Sequence, residues 1–250
     1  MLTRAPKLQL SDIAKRYGEN QVLQGFSLDV PDGELLGVIG PNGAGKTTMF
    51  GIVSGLIVPD QGAVILDGVD ITALAAYERC RAGIGRTFQV PRPFLGLTVF
   101  ENVLVGARFG SGASGHAADE IALDALQSSG LIDRANQPAE TLTLLQRKQL
   151  ELARAVATQP RLLLLDEIAG GLTESETHRV VELVASLNAR GMTIVWIEHL
   201  VHALASVASR LAVLNFGKLI AAGEPRSVLS DDMVRAVYLG MDVDEPSLHA

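Results

Sequence analysis

Cysteine is almost missing from these 250 residues: Cys80 is the only one. It can form no internal disulfide and has no Cys-x-x-Cys partner for zinc, a usage that fits a reducing compartment. Aromatic side chains make up 4 % of the chain, yet the hydrophobic fraction is 48 %, so an aliphatic core of good size is expected. No apolar run approaches the roughly 18 residues that span a bilayer, and Met1 to Leu10 lacks the continuous apolar stretch of a signal peptide. No block of like charge marks a tail. The balance of 21 basic against 28 acidic residues, net −7, argues against a nucleic-acid partner. No internal repeat is visible. A soluble chain is expected, one large domain or a domain with a sub-lobe, which can still sit on a membrane partner.

Glycine, by contrast, is concentrated where it matters. Gly40-Pro41-Asn42-Gly43-Ala44-Gly45-Lys46-Thr47-Thr48 matches G-x-x-x-x-G-K-[ST], the P-loop. It follows an apolar run, Leu35 to Ile39, that reads as a buried strand, and precedes Met49 to Gly55, which reads as a helix. Gly40, Gly43 and Gly45 allow a tight turn and close approach to a phosphate. The freed N–H groups and the positive end of the helix make an anion cradle. Lys46 supplies a point charge to the terminal phosphates, and the Thr47 hydroxyl can bind Mg²⁺.

Leu8 to Ile13 and Val22 to Val30 read as antiparallel strands around a bend at Tyr17-Gly18-Glu19-Asn20. A strand from Ala63 to Leu66 comes next, and Thr72 is placed to cap a short helix through Glu78. Ile84 to Phe88 reads as a strand ending at Gln89. Pro91 and Pro93 then break regular structure, and Thr98 can cap a helix from Val99 to Ala107. Gly110 to Gly115 is the best linker candidate. Helical patterns resume at Ala117 to Ser129 and Leu144 to Thr158. Strands return at Leu162 to Asp166 and Thr193 to Ile197, with a helix between them at Glu174 to Ala189. A last pair spans Leu211 to Asn215 and Lys218 to Ala221. This order predicts an α/β fold: a P-loop NTPase core with a mainly parallel sheet, an antiparallel β edge and an inserted helical lobe. The boundaries expected are core 1–89 and 159–240, helical lobe 90–158 and a short tail 241–250.

A P-loop alone implies only that a nucleoside triphosphate binds; the reaction depends on the other side chains. Four leucines ending in Asp166 form a strand whose carboxylate can hold Mg²⁺. Glu167, next in sequence, would orient or deprotonate an attacking water. Gln89 can touch both Mg²⁺ and that water. His199 lies at the end of the next strand after Asp166, and strand ends on one edge of an α/β sheet share a crevice. It can therefore reach the γ-phosphate, whereas His116, His178, His202 and His249 read as surface residues. Tyr17 can stack on an adenine face or simply pack.

The order of P-loop, Gln89, the helix Gln146-Arg147-Lys148-Gln149-Leu150-Glu151-Leu152-Ala153-Arg154-Ala155, Asp166-Glu167 and His199 resembles an ABC-type ATPase, from about Lys7 to Val237. Gly85-Arg86-Thr87-Phe88-Gln89 and Leu97 to Val103 resemble, within that family, subunits serving branched-chain amino-acid uptake, as does Tyr238-Leu239-Gly240. The resemblance implies that Tyr17 stacks on adenine, Gly40 to Thr48 bind ATP, Gln89 and Thr47 join Asp166 around Mg²⁺, and Glu167, Gln89 and His199 serve hydrolysis. It places Gly171-Leu172-Thr173 in the family's D-loop. It also implies a head-to-tail dimer, homomeric or with a related ATPase, in which each ATP is closed over by Thr143 and Gln146 of the partner.

The partners implied are transmembrane permease subunits and, indirectly, an extracytoplasmic solute-binding protein, with the chain at the cytoplasmic face of the membrane. Two departures stand out. Leu142-Thr143-Leu144-Leu145-Gln146 replaces the family's Leu-Ser-Gly-Gly-Gln, and Ile168 replaces a proline. A permease-independent ABC ATPase of repair, translation or assembly is the alternative. A P-loop kinase would lack a use for His199, and a clamp without hydrolysis would lack one for Glu167.

Overall fold

A computed structural model describes residues 6–238 of the chain. Two sheets meet face to face. The first is antiparallel and contains β1 (Leu8–Tyr17), β2 (Asn20–Val30), β4 (Gln61–Leu66) and β5 (Val69–Asp70), in the order β2-β1-β4-β5. The second contains β3 (Leu35–Ile39), β6 (Ile84–Arg86), β7 (Leu162–Asp166), β8 (Thr193–Ile197), β9 (Arg210–Asn215) and β10 (Lys218–Gly223). Its order is β10-β9-β3-β8-β7-β6, parallel throughout except for β10 at the edge.

The three central strands of the second sheet are buried along their whole length. A strand covered on both faces needs apolar residues at every position, because successive side chains point to opposite sides. Leu36, Val38, Leu162, Leu164, Val195 and Ile197 face the core shared with the antiparallel sheet. Leu35, Ile39, Leu163, Leu165, Ile194 and Trp196 face the core on the other side. That second core continues into the helical region, which includes α3 (Val99–Phe109), α4 (Gly115–Ser128) and α5 (Leu144–Val156). No strand lies between β6 and β7 among the described residues.

Helix starts obey local chemistry where a side chain can cap them. Thr98 and Glu101 form a reciprocal capping box at α3, as do Thr173 and Glu176 at α6 (Glu174–Ala189). Other boundaries differ from expectation. Helix α1 (Lys46–Val53) begins at Lys46, not Met49, because its N-cap is Gly45 in the left-handed region and uses no side chain. Thr72 does not cap a helix: its hydroxyl accepts from Val64 N, and α2 (Ala76–Arg81) has Ala75 as its N-cap, whose N–H donates to the Glu78 carboxylate. Strand β6 ends at Arg86, two residues early, since Thr87 turns its hydroxyl to Asp166 N.

Between α3 and α4, Gly110, Ser111 and Ala113 are half-buried, whereas Gly112, Ser114 and Gly115 are exposed. The Ser111 hydroxyl donates to Ala107 O, and a Cβ on Gly110 would stand 2.5 Å from Thr158 Cγ2. Three short helices, α7 (Val201–Ala205), α8 (Pro225–Ser230) and α9 (Asp232–Tyr238), complete the described chain. Leu239 and Gly240 lie outside the described residues, and of Tyr238 only the backbone is described.

One buried cation fixes the helix next to the P-loop. Arg79 is 1 % exposed, and its guanidinium donates to Ile52 O and Val53 O at the end of α1 and to Thr72 O and Leu74 O. It meets carbonyls that the helix cannot satisfy itself, at the negative end of the dipole. Burial lowers its pKa.

Candidate functional site

The parallel strands β3, β7 and β8 all end on one edge, and the candidate residues sit just beyond their last residues. Gly40 follows β3, Asp166 closes β7 and is followed by Glu167, and Glu198-His199 follow β8. This edge is the crevice in which open α/β sheets bind ligands.

In the P-loop the glycines are required first by the protein itself. A Cβ on Gly40 (φ +154°) would lie 2.2 Å from Leu214 O, and one on Gly45 (φ +104°) 2.9 Å from Leu23 Cδ2. The loop is thus seated against β9 and β2, and Gly217 N donates to Ala44 O at 3.0 Å. Because α1 begins at Lys46, the backbone N–H groups of Lys46, Thr47 and Thr48 lie in its first turn, where helical donors have no internal partner. That arrangement suits an anion. Lys46 Nζ, 6 % exposed as a residue, donates to Gly40 O (2.7 Å) and Pro41 O (3.1 Å). Burial pulls its pKa down, and the negative charges of Glu167 and Asp166 oppose that pull.

Glu167 gathers two of the other residues singled out in the sequence. Its Oε1 is 2.7 Å from His199 Nε2, and its Oε2 accepts from Gln89 Nε2 at 2.5 Å. Its backbone has φ +48°, a conformation uncommon for a non-glycine residue. Its N–H donates to Ile197 O at 2.9 Å, which ties it to β8. Gln89 turns its amide nitrogen to Glu167, so the amide oxygen is its end with acceptor capacity for a cation.

Asp166 is paired with a residue that sequence reasoning passed over. Arg86 Nη2 donates to Asp166 Oδ2 at 2.9 Å, with 10 % and 7 % of the two side chains exposed. Arg86 Nη1 donates to Ser54 Oγ at 2.9 Å. The guanidinium lies 5.8 and 5.1 Å from the centroids of the Phe50 and Phe88 rings, while its Nε is buried without a partner. A second omission is Glu198, 1 % exposed, which accepts from Ala169 N (2.7 Å), Trp196 Nε1 (3.2 Å) and His199 N (3.3 Å). Burial raises its pKa. It holds both the loop after Glu167 and the backbone of His199. The signal available was an acid beside a histidine at a buried strand end.

Thr47, Gln89 and Asp166 offer a hydroxyl, an amide and a carboxylate oxygen, a set chemically suited to a hard cation such as Mg²⁺.

The remaining candidates are not joined to this cluster. Tyr17 is the last residue of β1, 50 % exposed, with Lys15 Nζ 5.6 Å from its ring centroid. Thr143 and Gln146 bond to each other: Thr143 Oγ1 accepts from Gln146 N (3.4 Å), and Gln146 Oε1 accepts from Thr143 N (3.0 Å). This capping box starts α5. Among the described residues no hydrogen bond or ion pair links either side chain to Gly40–Thr48. Leu144 is 46 % exposed, and its Cδ2 would meet a Cβ on Gly171 at 3.4 Å, while Leu145 packs on the core.

Comparison with known proteins agrees with this layout. Residues 23–170 match a family described as ABC transporter. The chain is 35 % identical over 250 residues to the high-affinity branched-chain amino acid transport ATP-binding protein BraF of Pseudomonas aeruginosa, covering 94 % of this chain and 98 % of that one. It is 33 % identical over 233 residues to the lipopolysaccharide export system ATP-binding protein LptB of Haemophilus influenzae, covering 93 % and 97 %. The ADP conformation of MJ1267, an ATP-binding cassette of an ABC transporter, superimposes with a TM-score of 0.85 at 32 % identity, covering 94 % of this chain and 99 % of that one. The dimeric structure of a post-hydrolysis state of the cassette MJ0796, bound to ADP and Pi, gives 0.78 at 27 %, covering 88 % and 99 %.

Proposed function

The chain belongs to the ABC transporter family as an ATPase subunit, and we propose that it powers an importer of branched-chain or other hydrophobic amino acids. The single observation that carries the hydrolytic assignment is Glu167, held with one carboxylate oxygen on His199 and the other on Gln89. In this reading Glu167 is the general base toward an attacking water. For that it has to release one of its two partners. Gln89 is the natural one to leave, because it lies in a segment without helix or strand beyond β6.

His199 then stays on Glu167 and turns toward the terminal phosphate. Lys46 exchanges the carbonyls of Gly40 and Pro41 for phosphate oxygens, and the first turn of α1 supplies backbone donors. Thr47, Gln89 and Asp166 would hold Mg²⁺, which neutralises phosphate charge when bound. Tyr17 would stack on the adenine, on a hairpin whose second strand touches the P-loop at Leu23.

The site built from one chain is half of a site. Thr143 and Gln146 would close over the ATP of a second protomer, a reading supported by the dimeric relative. The exposed Phe88, Val90, Phe94 and Leu95 offer an apolar surface to permease subunits at the cytoplasmic face of a membrane. Among the described residues no helix is long and apolar enough to cross a membrane, so the pore would be another chain.

Import of amino acids is favoured by BraF and by the Gly85–Gln89 and Leu97–Val103 segments. A second reading, lipid export, is favoured by the comparable similarity to LptB. The test is the intact complex, purified with its membrane subunits and placed in liposomes. Turnover stimulated by a leucine-loaded binding protein supports import; stimulation by lipopolysaccharide alone would overturn it.

A further inference from the structure

Helix α5 grips the Gln89 segment through charged residues spaced along one face, Lys148, Glu151 and Arg154. Residues 87–98 contain neither helix nor strand, so their backbone groups need partners from elsewhere. Glu151, 6 % exposed, lies close enough to the backbone of Arg92 and Phe88 for them to favour its charged form, against the upward pull of burial on its pKa. Arg154 Nη1 donates to Arg92 O at 2.8 Å and to Glu151 Oε2 at 3.3 Å, and its guanidinium lies 4.7 Å from the centroid of the Phe94 ring. Lys148 Nζ lies 3.4 Å from Gln89 O as a donor. Helix and segment are thereby tied into one unit.

Lys148 does something the other two do not. Its Nζ also donates to Glu167 O at 3.1 Å, which joins that unit to the end of β7. The residue is 5 % exposed, and an ammonium buried with two backbone carbonyls as its acceptors is an expensive choice where a methionine would fill the space. The Glu167 backbone it meets is the one at φ +48°, and such a conformation persists only where its surroundings over-determine it. Three bonds do so here: Glu167 N to Ile197 O, Gly170 N to Glu167 O (3.2 Å), and Lys148 Nζ to Glu167 O.

We propose that Lys148 is a positioning residue that sets the Glu167 carboxylate from α5. The same helix begins with Thr143 and Gln146, so whatever engages its first turn moves Lys148, and through it both Gln89 and Glu167. The proposal rests on the reading of Glu167 as the base.

The experiment is steady-state ATP turnover of the full-length Lys148→Met chain, with nucleotide affinity measured separately by a fluorescent ATP analogue. Misplacing a reacting group by about 1 Å costs up to about 10²-fold, so kcat should fall about 10–100-fold while KM and the analogue's Kd stay within about threefold. Lys148→Arg, which keeps a buried cationic donor, should recover most of the rate. Wild-type kcat in Lys148→Met overturns the proposal. So does a parallel loss of rate and nucleotide affinity, which would mark Lys148 as structural only. If the Met variant does not fold, Lys148→Gln is judged by the same outcomes. Glu167→Gln is run beside it: if that variant turns over normally, the reading of Glu167 fails and not the role of Lys148 alone.

Discussion

Glu167→Gln is expected to bind ATP with near wild-type affinity and to hydrolyse it about 10²–10⁴-fold more slowly, the cost of losing a positioned base. Glutamine is close in shape, and its amide can still meet His199 and Gln89, so the local fold should survive. It lacks a basic oxygen. In the wild-type chain both carboxylate oxygens already have partners, His199 at 2.7 Å and Gln89 at 2.5 Å, so the carboxylate is held rather than wandering. The split matters more than the loss: kcat should fall with little change in KM. A turnover near wild type would remove Glu167 from its role, and lost binding would mean that the substitution disturbed the neighbouring Asp166.

Arg86→Met is expected to lower the stability of the ligand-free chain by about 3–5 kcal/mol, the usual cost of leaving one member of a buried ion pair without its partner. Asp166 would keep a carboxylate in a nearly closed environment and lose the guanidinium 2.9 Å away. Methionine should keep apolar contact with the neighbouring Phe50 and Phe88 rings, and Ser54 keeps its own bond to Phe50 O at 2.8 Å. Packing therefore contributes less to the loss than charge. Urea denaturation measures it directly, and adding Mg²⁺ with ADP should narrow the gap, because a bound cation gives Asp166 a new counter-charge. An unchanged midpoint without ligand would mean that the pair contributes nothing.

Arg86 and Lys148 also show where sequence reading stops. The strands Leu35–Ile39, Leu162–Asp166 and Thr193–Ile197 were legible because burial on both faces leaves a continuous apolar run. Helix α3 was legible because Thr98 can cap it, and the capping box that Thr173 makes with Glu176 at α6 was not read from the sequence. The P-loop residues were legible as a motif, yet the start of α1 was not, since Gly45 caps it by backbone conformation alone. Helices α7 and α8, of five and six residues, are too short to show a period.

Buried charges are the harder case. Lys148 and Glu151 lie on a helix whose pattern does not mark them as buried, and Arg86 ends a three-residue strand. Each is buried by partners distant in sequence, such as Asp166 for Arg86 and Glu167 for Lys148, which no local pattern announces. Thr143 and Gln146 illustrate the reverse. Their spacing is that of a capping box, and within one chain that is how they are used.

We propose that Gly40–Thr48 forms half of an ATP site, completed by Thr143 and Gln146 of a second protomer. Sedimentation of Glu167→Gln with saturating ATP and Mg²⁺ tests it most directly, since slow hydrolysis should hold the closed state. The expected result is a species of twice the 26.5 kDa chain mass that returns to the single chain when ATP is removed or Thr143 is replaced by tryptophan. A Glu167→Gln chain that binds ATP yet remains at 26.5 kDa would contradict it.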